Sequence, residues 1–78
     1  MVLKVLGSGC ANCERLERAT KCAAAELGID ATIEKVTDVN DILSYGVMMT
    51  PALVVNDKVV LAGRVASVGE IKKILQAY

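Results

Sequence analysis

The sequence contains no tryptophan, no phenylalanine and no histidine, only one proline, and no formal net charge. Without the large aromatics a core has to be built from aliphatic side chains. The chain has enough of them, since 54% of its 78 residues are apolar, chiefly Val, Ala, Leu and Ile. A domain of this size buries only about 60% of the surface its unfolded chain exposes, so residues 1–78 read as one domain. Nine basic side chains balance nine acidic ones, and no Lys/Arg run stands out. Nucleic acid or an anionic membrane would require a basic face, so neither is an expected partner. A structural zinc site wants four ligands, and three cysteines with no histidine make it a weak reading.

No stretch approaches the roughly 20 apolar residues of a membrane helix. The apolar start, Met1 to Leu6, is shorter than the signal-peptide core of about 7–15 residues. The expected setting is therefore the reducing cytoplasm. There a Cys-x-x-Cys pair reads as redox or metal chemistry and not as a structural staple.

What is present falls into alternating segments. Val2 to Leu6 is a short apolar run, predicted to be a strand, and Gly7-Ser8-Gly9 breaks it. Ala11 to Leu27 is rich in helix formers, with Leu16, Ala19, Ala23 and Leu27 at helical spacing, and Gly28 is placed to close the helix. Ala31 to Val36 alternates as a second strand. Thr37 and Asp38 can cap a short helix over Val39 to Tyr45, ended by Gly46. After Val47-Met48-Met49-Thr50-Pro51, two strands (Ala52 to Val55, Lys58 to Leu61) flank Asn56-Asp57, which suits a type I′ hairpin turn. Ser67-Val68-Gly69-Glu70 is a capping box. It opens a last helix with Val68, Ile71, Ile74, Leu75 and Tyr78 on one side. The order is β-α-β-α-β-β-α.

The chemistry-bearing motif is Gly9-Cys10-Ala11-Asn12-Cys13, set where the first strand gives way to the first helix. A helix N-terminus has unpaired N–H groups and about half a unit of positive charge. Cys10, at the N-cap, is placed to accept from the amides two or three residues on. That favours its thiolate and lowers its pKa. Cys13, one turn later, can close a tight ring with it. The reading is Cys10 as attacking nucleophile and Cys13 as resolving thiol in thiol–disulfide exchange. Ala11-Asn12 adds no cation, and Glu14 and Glu17 oppose the thiolate, so the helix terminus carries the effect. Gly7, Ser8 and Gly9 leave little bulk over Cys10, so a protein substrate can approach. Cys22 would lie roughly 18 Å along the helix axis from Cys10, beyond the Cα reach of about 7 Å for a disulfide, and is read as passive. Met48 and Met49 suit either core packing or an apolar lip for substrate. Tyr45 reads as a packed helix end.

The element order, Cys10-Ala11-Asn12-Cys13 after a first strand, and Thr50-Pro51 before a hairpin together resemble the thioredoxin-like superfamily. Within it the whole chain is similar to the small, glutaredoxin-sized redox-active disulfide proteins. The resemblance implies a minimal thioredoxin-like α/β fold, with a mixed four-stranded sheet flanked by three helices. It also implies that Pro51 is cis and faces the cysteine pair, with Thr50, Pro51, Met49 and Gly9 meeting substrate. The implied partners are protein disulfides and a disulfide reductase, acting on a monomer that needs no cofactor and no metal. The dipeptide Ala11-Asn12 is neither the Gly-Pro of thioredoxins nor the Pro-Tyr of glutaredoxins. Gly9 stands where thioredoxins have Trp, and no acidic residue lies in the first strand. After the last strand, Gly63-Arg64-Val65-Ala66-Ser67 lacks the acidic residues with which glutaredoxins hold the glutathione amine, which favours protein disulfides over glutathione.

Two other readings stand beside this one. Heavy-metal-associated domains also place Gly-x-x-Cys-x-x-Cys between a first strand and a first helix, and two thiolates can carry Cu(I). That fold ends in a strand, whereas Ser67 to Tyr78 reads as a capped helix. A retired interaction domain is the third, disfavoured by the retained pair.

Overall fold

The computed structural model describes residues 1–7 and 9–78; Ser8, one of the three small residues expected beside Cys10, lies outside them. In chain order the elements are β1 (Val2–Leu6), α1 (Ala11–Leu27), β2 (Thr32–Val36), α2 (Val39–Ser44), β3 (Ala52–Val55), β4 (Lys58–Ala62) and α3 (Val68–Gln76). The strands form one sheet in the order β2-β1-β3-β4, with β1 and β2 parallel and the other two pairings antiparallel. This is the α/β arrangement of the minimal thioredoxin-like fold.

Side chains of a strand alternate between the two faces of the sheet, and each face here has its own cover. Leu3 and Val5 of β1, with Leu53 and Val55 of β3, pack against Leu16, Ala23 and Ala24 of α1 and Ile71 and Leu75 of α3. Leu6, Ala52 and Val54 point the other way and pack with Ile42 of α2 and Val47. All four residues of β3 are buried, as a strand covered on both faces requires. One irregularity enters at β4. Leu53 pairs with Leu61 but Val54 with Val59, which leaves Val60 as the extra residue of a β-bulge. Val60 and Leu61 consequently both reach the larger cluster.

The helix ends follow the local chemistry. Asp38 Oδ1 accepts from the amides of Asn40 and Asp41 to start α2. Gly28 takes φ 66° after α1. Its N–H donates to Ala25 and that of Ile29 to Ala24, the paired bonds of a Schellman ending. The hairpin turn holds Asn56 and Asp57 at φ 48° and 68°, as a type I′ turn demands.

Several details differ from the sequence reading. Strand β2 begins at Thr32, not Ala31, and α2 ends at Ser44 with Tyr45 as its cap. Ser67 Oγ does accept from the Glu70 amide, but the Glu70 carboxylate pairs with Arg64 and leaves the capping box half made. Tyr78 lies past the end of α3 and is half exposed. Met48 and Met49 are also exposed, which excludes the core-packing option for both.

Candidate active site

Strand β1 delivers the chain to the helix start through Gly7, whose N–H donates to Val36 of β2 at 2.9 Å. Gly9 then turns with φ 86°, a conformation that glycine adopts without the penalty of a Cβ. Cys10 follows as the N-cap of α1, in extended conformation, and its Sγ accepts from the Cys13 amide at 3.2 Å. The sulfur of Cys10 is thus held where a carboxylate or hydroxyl usually caps a helix.

The two sulfurs sit in opposite surroundings. Cys10 is exposed, whereas Cys13 is 4% exposed, packed beneath it. The Cys13 thiol and then the Cys13 amide donate toward Cys10 and hold its pKa below the ordinary thiol value, with the Asn12 amide adding to the effect. Burial pushes Cys13 the other way, and the hydrogen bond to Cys10 keeps it protonated. One thiol is therefore ready to ionise at the surface while its neighbour holds a proton underneath.

Gly7 packs directly against Cys13, with Thr50 close by. A Cβ on Gly7 would overlap Cys13 Sγ and come within 3.1 Å of its Cβ and 3.9 Å of Thr50 Cβ. Thr50 is exposed and Pro51 buried, and the peptide bond between them is cis. Gly63 donates its N–H to Pro51 at 2.9 Å. Met49 lies over Gly63, its Cβ and Cε only 3.2 and 3.3 Å from where a side chain there would begin. Met48 turns to the other flank, where it lines a groove with Val39, Ile42, Leu43, Val47 and Thr50. Thr50 thus lies beside the dithiol with one methionine on each side.

The remaining reactive groups lie elsewhere. Cys22 is exposed on α1 and donates to Glu26 at 3.1 Å, a contact that raises its pKa. Tyr45 accepts from Lys4 Nζ at 2.7 Å, with Asp57 3.8 Å from the same ammonium. Asp57 is in the turn that follows β3, at the end remote from Pro51. Sequence reasoning did not find that Gly7 is fitted to Cys13, nor the Lys4–Tyr45 and Arg64–Glu70 pairs. Their partners are distant in sequence or compete with a local motif. Among the described residues no group of three or more His, Cys, Asp or Glu is assembled as for a metal ion. Among the described residues no helix is long and apolar enough to cross a membrane.

A four-stranded mixed sheet with a dithiol at the start of α1 defines a thioredoxin-fold protein, and comparison with known sequences agrees. Residues 1–76 match the family described as thioredoxin domain. A thioredoxin of Methanothermobacter thermautotrophicus is 47% identical over 75 residues, covering 96% of this chain and 97% of that protein. A thioredoxin of Methanocaldococcus jannaschii is 44% identical over 78 residues, covering 100% of this chain and 90% of that protein. The chain belongs to the thioredoxin family, and with it to the thiol–disulfide oxidoreductases.

Proposed function

We propose that Cys10 and Cys13 are the working dithiol of this protein and that its substrates are protein disulfides. The Cys10 thiolate attacks one sulfur of a substrate disulfide, forming a mixed disulfide and releasing the other substrate sulfur as a thiolate, which takes up a proton. Cys13 then loses its proton and attacks Cys10 Sγ, and the second substrate sulfur leaves reduced. The substrate gains two electrons and two protons, and the protein is left with a Cys10–Cys13 disulfide. A disulfide reductase supplies the two electrons that reopen it.

The observation that carries this reading is the asymmetry of the pair: Cys10 exposed at the N-cap of α1, Cys13 buried one turn on. Thr50, Pro51, Met49 and Gly9 are the residues that meet substrate. In support, Thr50 and Met49 are exposed beside the dithiol, and among the described residues no backbone group bonds to Thr50. An extended substrate segment can use that backbone as an added strand. The protein acts as a monomer in the cytoplasm, where an odd number of thiols stays reduced. The Cu(I) carrier finds no support, because the chain closes with α3 and not with a terminal strand.

The test is reduction of a protein disulfide by Cys10→Ser and Cys13→Ser variants, with the wild-type alkylation rate followed against pH. Cys10→Ser should abolish turnover, and Cys13→Ser should accumulate the mixed disulfide. Cys10 should alkylate with a midpoint below the ordinary thiol range. Full activity in Cys10→Ser would refute the assignment.

A further inference from the structure

The proposed exchange needs the Thr50 backbone at a fixed place beside the dithiol, yet the segment that carries it has few bonds of its own. Among the described residues, no hydrogen bond of backbone or side chain reaches residues 47–50. Val47 is buried, but Met48, Met49 and Thr50 are exposed. The segment is therefore placed from its two ends. Downstream, the Pro51 carbonyl accepts from the Gly63 N–H. Upstream lies α2, six residues long, with Ile42 as its buried side chain. A helix that short has little stability of its own, so something else has to fix where it ends.

Tyr45, the C-cap of α2, makes that connection. Its ring packs against the cluster of Leu6, Ile42, Val47, Ala52 and Val54. Its hydroxyl accepts from Lys4 Nζ at 2.7 Å, and the same ammonium lies 5.4 Å from the centre of the ring. Asp57, 3.8 Å away, also draws the ammonium. Lys4 is a firm anchor, because β1 is an inner strand in which Lys4 pairs with Glu34 on one side and Val54 on the other. The Lys4 side chain is 23% exposed, and a bond with a charged donor is stronger than one between neutral groups. The bond to Tyr45 raises the Lys4 pKa, so the donor stays charged. Packing alone would be served by a phenylalanine; the hydroxyl adds a directional tether from α2 to the sheet.

We propose that Tyr45, tethered by Lys4, is a positioning residue for the exchange, fixing the α2 end of segment 47–50 and with it the Thr50 backbone that a substrate polypeptide pairs with. The two side chains act through the segment and not on the sulfurs. The inference rests on the reading of Thr50 as a substrate contact. It predicts a loss confined to substrates that have a backbone to pair.

The test compares two disulfides in single-turnover reactions of the reduced protein. One is insulin, whose chains can pair with Thr50, and the other is 2-hydroxyethyl disulfide, which has no backbone. The variants are Tyr45→Phe, which keeps the ring in place, Lys4→Met, and the two together. For insulin the half-saturating concentration should rise about tenfold. The limiting rate should stay within about twofold, the pattern of lost binding with intact chemistry. Each variant should reduce 2-hydroxyethyl disulfide at the wild-type rate. The double variant should lose no more than either single one, because both remove the same bond. A contact that served stability alone would lower the unfolding midpoint and leave the ratio of the two substrates unmoved. An unmoved ratio, an equal loss on both substrates, or additive losses in the double variant would each overturn the positioning role and leave the dithiol reading intact. A wild type that reduces only the small disulfide would overturn the protein-substrate reading and the positioning role with it. A wild type that reduces neither would overturn the dithiol reading as well.

Discussion

Cys13 is fitted against Gly7 so closely that a single methyl group would displace its sulfur. That contact ties the geometry of the resolving thiol to a residue with no chemistry of its own. In Gly7→Ala the sulfur has to move away from its path to Cys10. Misplacement of a reacting atom by about 1 Å can cost a hundredfold in rate. The Cys10 mixed disulfide should therefore live roughly ten- to hundredfold longer than in the wild type, read by acid quenching and mass analysis. An unchanged lifetime would mean that Cys13 relaxes without loss. The same pair sets the pH response of the reduced protein. Cys10 has a lowered folded pKa, so its contribution to stability is present above the unfolded thiol pKa and fades as pH falls through the folded value. Cys13 has a raised one, so its contribution is present below the unfolded pKa and fades as pH rises toward the folded value. The sequence reading places Cys10 at the N-cap because strand, glycines and helix formers are local signals. The Gly7 contact and the Lys4–Tyr45 bond were not legible. They join residues brought together only by packing, 41 positions apart in the second case.

At the scale of elements, the capping residues do most of what their types suggest, and the exception has a physical cause. Ser67 caps α3 by accepting from Glu70 N–H at 3.2 Å. The carboxylate that could return the bond meets Arg64 instead, through a two-pronged contact with one arm of 3.1 Å. A charge-assisted, bidentate pair outcompetes a bond to a neutral amide, and a pattern of four residues cannot announce a guanidinium upstream of it. Ser67→Ala should cost about 1 kcal/mol in urea unfolding. An unaltered midpoint would mean that the Glu70 amide finds water as good a partner. Helix α2 escaped full reading for another reason: six residues are too few to define an apolar face by period. Val39 and Leu43 are apolar, and their exposure emerges only in the folded structure. The bulge at Val60 was equally silent, since an unbroken apolar strand looks the same with or without it.

At the scale of the molecule, the site lies where the two layers meet. Leu6 and Ala52, at the site ends of β1 and β3, face α2, whereas Cys13 belongs to α1 on the opposite face. The dithiol is thus positioned by α1, and its neighbours Thr50 and Pro51 by the segment that returns from α2. A chain of this length has little stability to spare, and it places its only proline at this junction. The strand order β2-β1-β3-β4 is not encoded by any local pattern. The resemblance implied only a mixed four-stranded sheet, because a β-α-β-α-β-β-α sequence of elements is compatible with several strand orders, and the order emerges from the structure. The third cysteine stays apart, hydrogen-bonded to Glu26 on the outer surface of α1.

These relationships converge on one measurement: redox titration of the purified protein in dithiothreitol buffers, with free thiols trapped by alkylation and located by mass. A single reversible two-electron transition should link Cys10 and Cys13, with Cys22 alkylated throughout. Failure of Cys10 and Cys13 to form a disulfide under any poise, or its formation through Cys22, would contradict the exchange couple.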